Sequence, residues 1–308
     1  MNDSDRLVGQ RVLVTGASGF IGGHLVKALK SRGAEVYGVS RSDRRGSPGP
    51  TQWLQANVEV LEDVERLWDT GRPDVVYHLS GTVNGAPDLD LLLPTYHGLL
   101  TSTVNLLHVA TARGCRRLVL AASLEDADPR LGTHTPASPY AAAKTAMLEY
   151  ARMCHEQFGT PVVALRTFMA YGPGQPSWKL IPATLRALLD GRNPELSSGQ
   201  RELDWLYIAD VVEAFLMAAH VPDIEGATLD VGSGRLISIR RLVEKLVGLV
   251  NPGIQPRFGM LPDRPERASR AADTAAIFER LGWRARTTLD EGLQRTVDAL
   301  RERVPDYA

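Results

Sequence analysis

The chain has 308 residues, roughly two domains' worth, and its 44% hydrophobic and 23% charged residues suit a sizeable packed core. Thirty-five basic residues against 36 acidic ones leave a formal charge of -1, which excludes the electrostatic footprint of a nucleic-acid binder. No apolar run approaches the roughly 18 residues of a membrane span, and the start MNDSDRLVGQ is polar where a secretory leader is basic and then apolar, so the expectation is a cytoplasmic protein without membrane contact.

In chain order, RVLVT (Arg11–Thr15) reads as a strand and Phe20–Ser31 as a helix. EVYGVS (Glu35–Ser40), DVVYHL (Asp74–Leu79), RLVLA (Arg117–Ala121) and PVVALRT (Pro161–Thr167) read as further strands, with helical stretches near Leu91–Arg113 and Pro139–His155 between them. This alternation predicts an α/β fold, a Rossmann-type doubly wound parallel sheet with helices on both faces. After Gly172 the pattern loosens. Helical patterns recur at about Ile181–Leu189, Asp210–His220, Ser238–Val250, Ala271–Leu281 and Leu289–Arg301, punctuated by proline and glycine. The expected division is a dinucleotide-binding domain over 1–172 and a smaller α/β substrate domain over 173–308, with the segment around 204–235 returning to the first.

The first strand runs into Gly16-Ala-Ser18-Gly19-Phe20-Ile21-Gly22 and then a helix. Chance would supply three glycines at this spacing about 0.2 times in the chain, so the pattern alone is weak and its place after a strand and before a helix gives it weight. A dinucleotide pyrophosphate rests on such a helix N-terminus. At the end of the second strand an acid would bind the free 2′-hydroxyl of NAD, and an arginine would fit the 2′-phosphate of NADP. Here the run is Ser40-Arg41-Ser42, so NADP(H) is favoured over NAD(H), with Arg41 as the determinant. Asn57, after the third strand, is a candidate for the adenine edge or a plain turn residue.

Tyr140 and Lys144 stand four apart at the start of a helix and share one face. A neighbouring ammonium would favour the phenolate and lower the tyrosine pKa, suiting a phenol that exchanges protons with a carbonyl oxygen. Ser123 ends the strand RLVLAAS at the carboxyl edge of the sheet, where its hydroxyl can bond the same oxygen. Cys115 and Cys154 read as ordinary thiols, and the seven histidines are scattered over unrelated elements, so no metal site is expected. Glu125 reads either as a surface acid in the run Glu125-Asp-Ala-Asp or as a catalytic base.

TGASGFIGG, YHLSG at Tyr77–Gly81, Ser123, Tyr140-x-x-x-Lys144, LRTFMAYGPGQ at Leu165–Gln175, DWLYIADVVEAF, LDVGSG and DRPERASRAADTAAIFERLGW together resemble the extended short-chain dehydrogenases/reductases, specifically the nucleotide-sugar epimerase, dehydratase and 4-ketoreductase group. The resemblance runs nearly end to end. It implies Tyr140 as general acid/base, Lys144 on the nicotinamide ribose and Ser123 on the substrate carbonyl. Gly16, Ser18, Gly19, Phe20, Ile21, Gly22 and Arg41 would hold the cofactor. Arg264 and, more loosely, Lys179 would approach the diphosphate of a nucleotide-sugar substrate, and a homodimer would form through the helices near Leu91–Arg113 and Pro139–His155. Met169 replaces the asparagine usual in relatives, which marks the substrate pocket as atypical. Three readings follow: an NADPH-dependent reductase of a nucleotide-linked 4-keto-6-deoxy sugar, a 4-epimerase or 4,6-dehydratase with retained cofactor, in which Ser123-x-Glu125 resembles the dehydratase Thr-x-Glu, and a non-enzymatic NADP sensor or scaffold.

Overall fold

A computed structural model describes residues 7–126, 135–263 and 269–303. They fall into two compact units. The first takes the chain up to Thr167 together with Val212–Asp230 and Glu279–Trp283; the second takes Phe168–Val211, Val231–Phe278 and the residues from Arg284 on.

The first unit is built on β1 (Arg11–Thr15), β2 (Glu35–Ser40), β3 (Gln52–Gln55), β4 (Val75–His78), β5 (Arg117–Ser123), β6 (Val162–Thr167) and β9 (Thr228–Val231), in the order β3-β2-β1-β4-β5-β6-β9. The pairings from β3 through β6 are parallel. This is the doubly wound arrangement expected from the sequence. Strands such as β4 and β6 are buried at every residue, as parallel strands covered on both faces must be. On one face Leu13, Val76, Leu118 and Leu120 meet Val64 and Leu67 of α2 (Leu61–Gly71), Leu106 and Leu107 of α4 (Ser102–Arg113) and Met147 of α5 (Pro139–Phe158). On the other, Tyr77 meets Phe215 of α7 (Ile208–Ala218) with ring centroids 6.4 Å apart.

Local chemistry sets the helix ends. Gly19 is the N-cap of α1 (Phe20–Ser31), which buries Leu25, Val26 and Leu29. For α5, the Ser138 hydroxyl accepts from the Ala141 amide at 3.1 Å, Pro139 occupies the first turn, and Gly159 ends the helix at φ 69°. The stretch read as one helix over Leu91–Arg113 is broken. A single 3₁₀ turn at Leu89–Leu91 leads into α3 (Leu92–Thr95), then a wide π-helical turn over Tyr96–Thr101, then α4.

The second unit contains the sheet β10-β8-β7, with β7 (Met169–Tyr171) parallel and β10 (Leu236–Ser238) antiparallel to β8 (Glu202–Tyr207). α6 (Leu180–Leu189), α8 (Ile239–Val250) and α10 (Leu289–Arg303) pack with it. Asp204 fixes its loops: the carboxylate accepts from the Ser233 amide (2.7 Å) and hydroxyl (2.6 Å), the Gly234 amide (2.8 Å) and the Ala272 amide (3.0 Å). The remaining helix, α9 (Thr274–Leu281), runs from the second unit into the first. The sequence places the division at 172 and a return over 204–235. In the structure the chain leaves the first unit after Thr167, and β8 pairs with β7 and β10 instead of joining the large sheet. The return is made by the later part of α7 and by β9, which lies beside β6.

A polar hub sits where β1 and β4 end. His78, 2% exposed, has Nδ1 2.8 Å from the Thr15 hydroxyl and Nε2 3.1 Å from that of Thr103 and 3.2 Å from that of Ser102. Burial, reinforced by the Lys144 charge, depresses its pKa to about 3. The folded pKa lies below the ordinary value, about 6.5, so the unfolded chain takes up the proton first. The contribution to stability is complete above about 6.5 and is lost as pH falls toward 3. Denaturant titrations of the wild type and of His78→Gln at pH 7 and pH 5 should see the gap between them shrink by roughly 2 kcal/mol at the lower pH; parallel pH dependences would refute the neutral buried imidazole.

Candidate active site

Four strands of the first unit deliver their carboxyl ends to one edge of the sheet: β1 into Gly16, β4 into Leu79–Ser80, β5 at Ser123 and β6 at Thr167. Ligands of open α/β sheets bind along such an edge.

The glycine run after β1 is shaped by close packing. Gly16 has φ +69°, and a Cβ there would lie 2.7–2.8 Å from the backbone of Leu79 and Ser80. A Cβ on Gly22 would run into the Gly16 carbonyl. At Gly19 the restriction is milder, with a Cβ 3.1 Å from the same carbonyl. Ser18 and Gly19 are exposed at the tip, and α1 begins directly after them without a side-chain cap. The amides of Phe20, Ile21 and Gly22 open the helix and have no acceptor within it, which with the helix dipole makes an anion seat. The residues present therefore fit the pyrophosphate of a dinucleotide.

At the end of β2, Arg41 is exposed and its carbonyl accepts from the Gln55 side chain at 3.1 Å. Asp43, the first acid beyond, is tied to Arg45 (2.7 Å), which lowers its carboxyl to about 2. Arg44 lies over the Trp53 ring at 5.5 Å. Asn57 is engaged in a local turn: its amide donates to Asp63 (2.7 Å) and its side-chain oxygen accepts from the Glu59 amide (3.2 Å).

Ser123, Tyr140 and Lys144 come together, at 7%, 7% and 6% exposure. The Ser123 hydroxyl lies near enough to the Tyr140 phenol to favour its ionised form. The Lys144 ammonium lies 5.9 Å from the centre of the Tyr140 ring and donates to the Ala121 carbonyl on β5 at 2.5 Å. Tyr140 packs against Leu99, carried by the π-helical turn, and Ala143. Leu99 in turn closes on Gly81 (φ +136°), where a Cβ would strike its side chain. The exit of β4, the wide turn and α5 thus define one another.

The electrostatics correct one expectation. The sequence suggests that Lys144 lowers the Tyr140 pKa. Instead Tyr140 is raised, chiefly by burial, with the Ser123 hydroxyl opposing and the Asp126 charge adding to the rise. Lys144 is itself lowered to about 8 by burial, against the pull of Asp126. Near neutral pH the pair is a phenol beside an ammonium.

Glu125 is half-buried and not a surface acid. Its amide donates to the Ser123 hydroxyl (3.2 Å), and a Cβ on Gly85 would lie 3.3 Å from its carboxylate. Three further charged residues escape the sequence reading. Arg166, 4% exposed, donates from Nε to Asp126 (2.6 Å) and from a terminal nitrogen to Asp230 (2.8 Å), and the second Asp126 oxygen accepts from the Ser123 amide (3.3 Å). Their signal in the sequence is slight: Arg166 and Asp230 fall near the ends of otherwise apolar strands, and Asp126 sits in an acidic run.

Met169 on β7 and Lys179, at the N-cap of α6, belong to the second unit. Arg264 lies outside the described residues. Among the described residues no cluster of histidine, cysteine and carboxylate side chains could hold a metal ion, and no helix is long and apolar enough to cross a membrane.

The pattern that defines the NAD dependent epimerase/dehydratase family matches residues 12–232. The chain is 30% identical, over 95% of its own length and 99% of the relative's, to a UDP-glucose 4-epimerase of Mycolicibacterium smegmatis. It is 28% identical, over 94% and 92%, to a probable dTDP-glucose 4,6-dehydratase of Sinorhizobium fredii. Among solved structures, MoeE5 in complex with UDP-glucuronic acid and NAD superposes with a TM-score of 0.83 at 30% identity, covering 95% of this chain and 99% of that one. With the glycine cradle and the Ser123–Tyr140–Lys144 centre, these likenesses make the chain a member of the NAD dependent epimerase/dehydratase family, an NAD(P)-dependent enzyme of the extended short-chain dehydrogenase/reductase type.

Proposed function

We propose that the protein reduces a nucleotide-linked 4-keto-6-deoxy sugar with NADPH. The observation that carries this reading is the placement of the Tyr140 phenol, buried with Ser123 and Lys144 at the carboxyl edge of the sheet, where it can give a proton to an oxygen that gains negative charge. When bound, the nicotinamide supplies a hydride to C4. Tyr140 donates its phenolic proton to the C4 oxygen, and the Ser123 hydroxyl hydrogen-bonds that oxygen and holds it in line. Lys144, kept cationic at neutral pH and anchored on the Ala121 carbonyl, is placed to hold the nicotinamide ribose. Lys179, Arg264 and the atypical Met169 are the candidates for substrate contacts.

The NADP preference rests on Arg41. It stands where an acid would select NAD, while Asp43 is neutralised by Arg45 and Arg44 is drawn onto Trp53. A second reading, a 4-epimerase or 4,6-dehydratase with a retained cofactor, is favoured by the names of the relatives and by Glu125, half-buried two residues beyond Ser123, where it could take a proton next to a keto group.

A homodimer is part of the proposal. Leu89, Leu92, Leu93 and Tyr96 follow one another at helical spacing, and Leu89 (81% exposed) and Leu93 (63%) project furthest. Tyr150 and Met153, three apart on α5, are also exposed. Apolar side chains so grouped mark an association surface, and they lie on α5 and on the turns and short helix at the start of the stretch near Leu91–Arg113, the two segments that the family resemblance assigns to a dimer.

Three measurements test these statements. Incubation with a nucleotide-linked 4-keto-6-deoxy sugar should oxidise one NADPH per sugar reduced, with Tyr140→Phe slower by about 100-fold or more; turnover of an alcohol-bearing nucleotide sugar without added cofactor would select the second reading, and full activity in Tyr140→Phe would sink both. Arg41→Ala should cut the ratio of NADPH to NADH efficiency by roughly 10- to 100-fold, the loss of a charge-assisted contact to phosphate. In analytical ultracentrifugation the wild type should sediment as a dimer and Leu93→Asp as a folded monomer, whereas a monomeric wild type removes the dimer from the proposal.

A further inference from the structure

His78 takes no part in the proton transfer assigned to Tyr140, yet the hydroxyls around it decide which of its nitrogens carries a proton. Thr103 Oγ1 lies 2.6 Å from the Leu99 carbonyl, and Ser102 Oγ lies 2.9 Å from the Gly98 carbonyl. A carbonyl only accepts, so each hydroxyl spends its one proton there. Both oxygens therefore turn lone pairs to His78 Nε2, at 3.1 and 3.2 Å, and Nε2 must be the protonated nitrogen. In a neutral ring Nδ1 is then bare and accepts from the Thr15 hydroxyl at 2.8 Å. The Thr15 oxygen already accepts from the Leu79 and Ser80 amides, at 3.2 and 3.3 Å, which leaves its proton for Nδ1. One directed chain of hydrogen bonds thus runs from the exit of β4 to the π-helical turn over Tyr96–Thr101.

The chain ends beside the phenol. Ser102 and Thr103 each bond the carbonyl four residues back, which bends a helix, and those carbonyls belong to the wide turn. Leu99, carried by that turn, is fully buried and packs on Tyr140 and Ala143, in the space that Gly81 leaves open. Closing the turn into regular helix would shift the flanking residues by about 100° around the axis and carry Leu99 off the ring. We propose that His78, as its Nε2–H tautomer, is a positioning residue for Tyr140: through Ser102 and Thr103 it holds the wide turn so that Leu99 backs the phenol ring. The contact with Tyr140 is made by Leu99, and the imidazole acts through it. This deepens the reductive reading and rests on Tyr140 being its acid.

The tautomer is read first, without substrate. In protein labelled with nitrogen-15 at histidine, the ring signals missing from His78→Gln identify His78, and at neutral pH they should show Nε2 protonated and Nδ1 bare. A proton on Nδ1, alone or with one on Nε2, overturns the proposal. The coupling is read on Tyr140, with tyrosine labelled at Cζ with carbon-13 and the resonance missing from Tyr140→Phe taken as its own. His78→Leu removes the donor, and the Tyr140 titration midpoint should fall by about one pH unit as water reaches the ring. His78→Gln, whose side-chain amide can donate from close to the place of Nε2, should restore most of that loss. With NADPH and a nucleotide-linked 4-keto-6-deoxy sugar, His78→Leu and Leu99→Ala should lose roughly 10-fold in kcat with KM changed by less than about twofold. Val64→Ala, equally buried on α2, should keep the wild-type kcat. A midpoint and a kcat that both stay put in His78→Leu overturn the proposal and leave the hub a stabilising cluster. Should His78→Leu not fold, Thr103→Val, of the same shape without the hydroxyl, takes its place with the same expectations. A midpoint that falls as expected in a protein reducing no 4-keto sugar refutes the reaction and keeps the positioning role.

Discussion

Polar side chains buried at the carboxyl edge of a parallel sheet are costly unless each finds a partner, and the first unit is organised around meeting that demand. An unsatisfied buried donor or acceptor costs about 1–3 kcal/mol, and a charge more. Thr15, His78, Ser102 and Thr103 satisfy one another between β1, β4 and α4. Lys144 is satisfied by the Ala121 carbonyl on β5, and Arg166 by carboxylates from the β5 turn and β9. These bonds join separate elements to one another, so the bonds that meet the cost of burial also fix where the strands end relative to the helices. The geometry of Ser123, Tyr140 and Lys144 is a by-product of that satisfaction, which is why a turn as irregular as Tyr96–Thr101 is tolerated beside it.

Burial also shifts the titration of the site. Desolvation disfavours whichever form carries charge, so it raises the phenol and lowers the ammonium at once. An ion pair of phenolate and ammonium would require their mutual attraction to exceed both penalties. At 5.9 Å from the ring, with the ammonium already committed to a carbonyl, it does not. The resulting neutral phenol is a donor before it is a base. A reduction uses it directly in that state. An epimerase or dehydratase must begin by removing a proton from a hydroxyl, for which the same residue has first to ionise.

Elements with many residues of one period were legible in the sequence. β1, α1 and β2 begin and end where their apolar patterns do, and α5 differs from its expected span only in running three residues further. The break at Tyr96–Thr101 was not legible, because one extra residue in a wide turn leaves apolar side chains on the same side of the helix, and Pro94 falls in the first turn of α3, where its missing amide costs nothing. The second unit suffered most, since β7 and β10 have three residues each, too few to show alternation. Ser123, Tyr140 and Lys144 stand out in the sequence because two of them share a helix face and the third ends a strand. Asp126 could not. It sits in an acidic run that looks solvated, and Arg166 is 40 residues away in a motif of different appearance.

The division between buried and exposed residues also explains which part of the function the comparisons reach. Around Tyr140, a change of charge or size leaves a buried group unpaired and costs several kcal/mol, so chemistry built there is bound to the fold, and a chain with this fold and this centre is an NAD(P)-dependent enzyme. Arg41 lies on an exposed loop, where a substitution costs the fold little. Cofactor choice can therefore change without disturbing the centre, so the NAD bound to MoeE5 and the arginine at position 41 can point to different cofactors. Glu125 stands between the two cases. Half-buried against Gly85 and joined to Ser123 through its amide, it is held by the turn that Asp126 and Arg166 close. Whether that carboxylate takes a proton from a sugar or only lines the site depends on how the centre is charged, so the ion pair beneath the turn bears on both readings of the reaction.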